Sequence, residues 1–190
     1  MDNIIEPIIL ASQSPRRQEL MKLLNRPFAI CVSDIEETID KHLTPENAIE
    51  ELAAQKARAV FGTHPNKIVI GSDTVVTIDG IFLGKPRDEE DAARLLTLLS
   101  GRTHQVITGV CICTPEAEIR FHDKTDVTFY PLTNKEIRDY IATGEPMDKA
   151  GAYGAQGKGA ILIREIRGDF YSVMGFPIAR VKREIDKLFH

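Results

Sequence analysis

The sequence predicts an α/β fold built on a mixed β-sheet, and three observations carry that expectation. Short apolar runs alternate along the 190 residues with stretches whose apolar side chains recur at helical spacing. Asp79-Gly80, set between Thr74–Ile78 and Ile81–Leu83, is a strong hairpin signal and adds an antiparallel pair to the sheet. Helix-entry signals stand at Ser14-Pro15, Thr44-Pro45 and Thr133-Asn134-Lys135-Glu136, each leading into a periodic stretch.

Taken in order, Ile8-Ile9-Leu10-Ala11 forms a short buried strand. A helix capped by Ser14 follows, with Pro15 at its first position and Leu20, Leu23 and Leu24 as its apolar face. A second helix runs from Thr44-Pro45 to about Phe61 on a stripe of Ile49, Leu52, Ala53 and Val60. Lys67 to Asp73 is a strand that ends on a carboxylate, and the Asp79-Gly80 hairpin comes next. A helix covers Asp88 to Leu99 and stops at Gly101. His104–Cys113 and Ile119–Tyr130 alternate as strands, and the Thr133 capping box opens a helix that ends at Gly144. Residues 144–159 form a loop rich in glycine and alanine, before a strand over 160–166 and a last helix over 177–189.

This length suits one domain, or one domain with two lobes, and no repeat, low-complexity segment or linker divides it. Composition is ordinary for a globular chain, at 43% hydrophobic and 27% charged. The net charge of −4 argues against a long nucleic-acid polymer as partner and leaves room for a small anionic ligand in a locally basic pocket. No apolar run is long enough to span a bilayer, and the acidic, proline-interrupted start (Met1 to Pro7) does not read as a secretory signal. Three cysteines without Cys-x-x-Cys spacing favour a reducing cytoplasm over a disulfide framework or a zinc site.

Four constellations carry chemistry. Ser12 to Arg17 places hydroxyls, free amides and two guanidinium groups at a strand-turn-helix entry. Arginines in a first helical turn oppose the macrodipole, so an anion site competes with simple surface ion pairs there. Lys56 falls in line with the apolar stripe of its helix, where it either snorkels to the rim or points at a phosphate. Asp73, in Gly71-Ser72-Asp73-Thr74, is a metal ligand, a general base or a turn-capping carboxylate, and Lys85 in Gly84-Lys85-Pro86 returns to the same end of the sheet. The stretch from Glu145 to Gly157 combines small residues with Asp148, Lys149 and Gln156, which can read charge and a base edge. Cys111 and Cys113 share one strand face as packing residues, and the five histidines (His42, His64, His104, His122, His190) show no ligand spacing.

Together, Leu-Ala-Ser-Gln-Ser-Pro-Arg-Arg (residues 10–17), Gly-Ser-Asp-Thr-Val-Val (71–76), Leu-Gly-Lys-Pro (83–86), Leu-Ser-Gly-Arg-Thr-His (99–104) and Gly-Glu-Pro-Met-Asp-Lys-Ala-Gly-Ala-Tyr-Gly-Ala-Gln-Gly (144–157) resemble the Maf family, in its order and over nearly the whole chain. Val173-Met174-Gly175-Phe176-Pro177 is similar to the family's Val-x-Gly-Leu-Pro signature. The resemblance implies a single Maf-like domain over 1–190, two-lobed, with a mixed sheet flanked by helices and a central nucleotide cleft, related in shape to inosine triphosphate pyrophosphatases.

It also implies a nucleoside triphosphate pyrophosphatase that releases monophosphate and pyrophosphate, cytoplasmic and homodimeric, and dependent on a divalent cation (Mg, Mn or Co). Arg16, Thr74 and Gln156 match the branch that acts on dTTP and UTP, while Ala155 and Phe176 depart from the commoner isoleucine and leucine. On this resemblance Asp73 is the proton acceptor, with Glu37 a second carboxylate for the metal. Ser12, Arg16, Arg17, Lys56, Lys85, Asp148 and Lys149 contact substrate, and no membrane or polymer partner is expected. The family's other name, septum formation inhibitor, keeps open a nucleotide-binding regulator without turnover, and a nucleotidyl transferase is the rival chemistry.

Overall fold

The computed structural model of this chain describes residues 7–32, 34–40 and 42–189. The N-terminal residues 1–6 and His190, both considered above, lie outside the described residues. In chain order the first half contains β1 (Ile8–Leu10), α1 (Pro15–Lys22), β2 (Phe28–Ile30), α2 (Pro45–Phe61), β3 (Val69–Ile78) and β4 (Ile81–Leu83). The second half contains α3 (Glu89–Leu99), β5 (Thr103–Cys113), β6 (Glu118–Phe129), α4 (Asn134–Ile141), β7 (Ile163–Arg167), α5 (Phe170–Val173) and α6 (Ile178–Lys187).

The strands form one mixed sheet in the order β2-β1-β3-β5-β6-β7, with β4 paired to β3. β1 is parallel to both β2 and β3, matching Ile9 with Ala29 and with Val69. The β3–β4 and β6–β7 pairs are antiparallel, the first closed by the Asp79-Gly80 turn, where both residues take positive φ. The expected α/β class with a mixed sheet is therefore the one that forms.

Several local expectations change. Gly71 to Thr74 does not end a strand, because β3 continues unbroken to Ile78 and leaves Asp73 mid-strand. The polar residues 72–74 interrupt the apolar run in sequence without interrupting the extended backbone. Leu23 is 62% exposed, because α1 ends at Lys22 and the core face is made by Leu20, Met21 and Leu24. β2 was not foreseen, as its residues are half-buried or exposed and show no alternation. β7 begins at Ile163, since Lys158–Leu162 coil into a 3-10 turn. The 144–159 loop likewise contains 3-10 turns at Glu145–Asp148 and Ala150–Ala152.

The chain divides into two units. The first holds the residues up to Asp73, Thr108–Asp123 and the residues from Gly175 onward. The second holds Thr74–Ile107 and Lys124–Met174. In the first unit, α2 lies on the sheet through an alanine face: Ala53, Ala54 and Ala57 are fully buried with Ile9, Ala11, Val69, Cys111 and Cys113. Two glycines make that contact possible. A Cβ on Gly71 would stand 2.3 Å from the Ala53 carbonyl oxygen, and one on Gly109 would stand 2.4 Å from that of Ile49. Helix backbone thus rests directly on strand backbone, which native packing density allows only where the side chain is missing.

In the second unit, Asp88 caps α3, and Leu95, Leu96 and Leu99 pack with Val76, Ile78, Val106 and Phe129. Ile137, Tyr140 and Ile141 of α4 close the same core. The Thr133–Glu136 capping box forms in both directions, as its sequence requires.

Candidate active site

The first unit carries a cluster built from segments far apart in sequence. Behind β1, the Ser12 hydroxyl accepts hydrogen bonds from the Ser14 backbone N–H (3.2 Å) and from Arg17 Nη1 (3.3 Å). Ser14 caps α1 by accepting from the Arg17 backbone N–H, and Pro15 opens the helix. The first turn of α1 has no acidic residue; Arg16 and Arg17 stand there instead. Both the helix dipole and the two guanidinium groups leave positive potential at this entry. Arg16 Nε is buried with no hydrogen-bond partner among the described residues. A buried donor of that kind is costly to leave unmet, which suits an anion arriving at the turn.

Arg17 is fixed more firmly. Its Nε donates to the Gly175 carbonyl at 2.8 Å, and the buried Ser72 hydroxyl stands 3.2 Å from that carbonyl and 2.9 Å from the Gly109 carbonyl. Burial pulls the Arg17 guanidinium below its usual range; Asp73 opposes the shift, Arg16 adds to it and Glu37 opposes it. Gly175 takes φ of +107°, a left-handed conformation that glycine tolerates. The Gly175 carbonyl therefore ties the C-terminal signature to β3 and α1. Nothing in the spacing of Ser72, Gly109 and Gly175 announced that connection.

Lys56 settles between two carboxylates. Its Nζ is 3.0 Å from Asp73 Oδ2 and 3.2 Å from Glu37 Oε1. Gly71 and Gly109 bring α2 close enough for this meeting, since Lys56 lies on the turn between Ala53 and Ala57. Glu37 comes from an irregular segment held to α2 by Gln55, whose side-chain amide donates to the Thr38 carbonyl (2.7 Å) and accepts from the Thr38 N–H (3.0 Å). Gln55 was not singled out from sequence, and a half-buried helical glutamine offers no signal that could have found it. The Glu37 and Asp73 carboxylates are hard oxygen donors of the kind that suit a divalent cation, and in this structure Lys56 Nζ neutralises both.

The remaining candidates belong to the second unit. Thr74 is half-buried on β3 directly after Asp73. Lys85 is exposed beyond β4, and the neighbouring Gly84 carbonyl accepts from the Gly151 N–H at 3.1 Å, joining the Gly-Lys-Pro segment to the glycine-rich loop. Lys149 Nζ donates to Asp148 (2.7 Å) and to the Glu145 carbonyl (2.9 Å), so these two expected substrate contacts are already paired. Gln156 is exposed at the tip of a turn between buried Ala155 and exposed Gly157, where φ is +125°. Glu145 and Tyr140, which sequence reasoning did not mark, tie this turn to α4.

Elsewhere, Cys111 and Cys113 lie 3.8 Å apart in the first core, with Glu118 near enough to complete a group of metal-ligand atoms. Glu118, however, accepts from Arg58 at 2.7 and 3.0 Å and from Arg120 at 2.6 Å. Two guanidinium groups on its carboxylate leave a cation little to bind, which agrees with packing as the cysteines' role. His104 is buried, its Nε2 bonded to the Tyr153 hydroxyl at 2.7 Å; His122 pairs with Glu50, and His64 meets the last turn of α2.

Residues 7–188 match the Maf-like protein family. The chain belongs to the Maf family. Among its relatives, this Maf chain is 55% identical over 178 residues to a dTTP/UTP pyrophosphatase of Bacillus velezensis, covering 94% of each protein. It is 53% identical over 181 residues to a dTTP/UTP pyrophosphatase of Bacillus cytotoxicus, covering 95% of each. Among solved structures, the Maf chain is similar in fold to the Ham1 protein of Staphylococcus aureus, with a TM-score of 0.52 at 18% identity, over 83% of this chain and 80% of that one. No helix among the described residues is long and apolar enough to cross a membrane.

Proposed function

We infer that this Maf chain hydrolyses nucleoside triphosphates, preferring dTTP and UTP, to the monophosphate and pyrophosphate. The observation that carries the reading is the cluster of the first unit, where a half-buried, positively charged helix entry stands with the Glu37–Lys56–Asp73 arrangement. The activity named for relatives at 53–55% identity supports the same substrates.

In the reaction we propose, water attacks the α-phosphorus in line with the bond to the bridging oxygen. A new P–O bond forms, the bond to the β-phosphate breaks, and pyrophosphate leaves with the electron pair. Asp73 accepts the proton of the attacking water. Arg16, Arg17 and Lys56 neutralise the charge that grows on the phosphate oxygens, and the Ser12 hydroxyl adds a hydrogen bond. Glu37 and Asp73 would hold a divalent cation, which supplies charge neutralisation and a more acidic water. Lys85, Asp148 and Lys149 are assigned to substrate binding. Arg16, Thr74 and Gln156 are assigned to base choice, since the Gln156 amide offers a donor and an acceptor to the O4 and N3 edge of a pyrimidine. Residues 1–190 act as one domain, and three free cysteines suit a cytoplasmic setting.

The decisive experiment follows pyrophosphate release from a panel of nucleoside triphosphates with Mg, Mn or Co, for the native chain and for Asp73→Asn. The native chain should favour dTTP and UTP, and the variant should lose turnover by about a hundredfold or more. Equal turnover by Asp73→Asn removes Asp73 from the chemistry, and a purine preference overturns the branch assignment.

A further inference from the structure

The turn that carries Gln156 is held by a single carboxylate. Glu145 Oε2 accepts from the Lys158 N–H, and Oε1 accepts from the Gly159 N–H, each at 2.9 Å. Oε1 also receives the Tyr140 hydroxyl at 2.9 Å, and that hydroxyl in turn accepts from the Gly154 N–H at 3.1 Å. The four bonds bracket Gln156: Gly154 lies before it, and Lys158 and Gly159 lie after it.

Glycines let the turn close on this carboxylate. A Cβ on Gly157 would sit 2.8 Å from Glu145 Oε2, and one on Gly159 would sit 2.5 Å from the Gly154 carbonyl oxygen. On Gly154 a Cβ would meet Lys149 Cε at 2.8 Å, and Lys149 Nζ donates to the Glu145 backbone carbonyl. Burial works against ionisation of Glu145, but the Lys158 and Gly159 amides and Tyr140 outweigh it and hold the carboxyl below its usual range. The acceptor is thus an ionised carboxylate, which makes stronger bonds to backbone amides than a neutral group does. Every group that meets it is a donor, so an isosteric amide cannot replace it: one of its two ends would present N–H to N–H or O–H.

We propose that Glu145 is a positioning residue for base selection, holding residues 154–159 in one shape and so fixing where Gln156 presents its amide. This rests on the assignment of Gln156 as a base-selecting residue. Glu145 touches no reacting atom in this account, and its effect passes through the turn.

The test compares the native chain with Glu145→Gln, Tyr140→Phe and Gln156→Glu. In Glu145→Gln the Lys158 and Gly159 amides should exchange hydrogen about tenfold faster while melting stays cooperative. The preference in kcat/KM for dTTP over dGTP should fall about tenfold, carried by KM rather than kcat. Tyr140→Phe, which removes the Tyr140 bond to Glu145 and the relay to Gly154 but leaves the Lys158 and Gly159 bonds, should show a smaller loss of the same kind. Unchanged exchange at Lys158 and Gly159 overturns the latch. Faster exchange with an unchanged preference overturns the positioning role, provided that Gln156→Glu alters the preference. If Gln156→Glu leaves it unchanged as well, the assignment of Gln156 has failed instead, and selection by Glu145 falls with it.

Discussion

Replacing Gly71 with alanine tests whether the contact between α2 and β3 sets the geometry of the proposed catalytic cluster. The added methyl would lie 2.3 Å from the Ala53 carbonyl oxygen and 2.7 Å from the Ala57 nitrogen, both helix backbone. Ordinary contact begins at 3.4 Å, so relief needs a retreat of about 1 Å. Lys56 rides on the turn between those two alanines, and its 3.0 Å contact with Asp73 would stretch to about 4 Å, outside hydrogen-bond range. Overpacking of this kind should destabilise the fold by about 1–3 kcal/mol. A displacement of about 1 Å at a reacting centre is expected to lower turnover by about a hundredfold.

Gly62→Ala supplies the control on the same helix. There φ is −56°, and the nearest atoms to an added Cβ lie at 3.5 and 3.7 Å. This variant should be neutral or more stable by up to about 1 kcal/mol. Urea unfolding and pyrophosphate release measured on both variants give the two quantities. If Gly71→Ala matches Gly62→Ala in both, the argument that a missing side chain places Lys56 is wrong.

Two further outcomes follow from the same geometry. Gln55→Ala removes both bonds to the Thr38 backbone and frees the segment bearing Glu37; turnover at saturating metal should fall about tenfold, with a change in stability below about 1 kcal/mol because the site is exposed. A steady-state assay with parallel urea unfolding decides this, and an unchanged kcat would remove Gln55 from the positioning of Glu37. Burial lowers the His104 pKa from 6.5 to about 4, and Nδ1 has no hydrogen-bond partner among the described residues, so the imidazole charges more readily in the unfolded chain. Stability from this group is complete above pH 6.5 and declines as pH falls toward 4, by about 2 kcal/mol between pH 8 and pH 5. Urea unfolding of the native chain and His104→Gln across that range should show the difference, and parallel pH profiles would contradict it.

Hairpins, caps and helix periodicity were legible because each depends on neighbours a few residues apart. Asp79-Gly80 turns the chain through its own backbone preferences, and Thr133 with Glu136 closes a capping box within one helical turn. Errors fell where tertiary pairing outweighs local pattern. Phe28–Ile30 becomes a strand only because β1 lies beside it, and β3 continues through three polar residues because the strand pairs on both sides of them.

The same division runs through the site. Residue types marked Ser12, Arg16, Arg17, Lys56 and Asp73 as candidates beside plainer surface and turn-capping roles, and the family resemblance gathered them into one expected site. Their arrangement rests on contacts between residues far apart in sequence. Gly71 and Gly109 admit the backbone of α2, the Gly175 carbonyl anchors Arg17 across 158 positions, and Glu145 closes the Gln156 turn through three bonds. The sequence by itself determined the class of fold, the family and the chemical groups on offer, because these follow from local patterning and residue identity. Which ammonium meets which carboxylate, and which carboxylate shapes a turn, only the tertiary structure decided: close packing of distant backbones is a property of the folded chain.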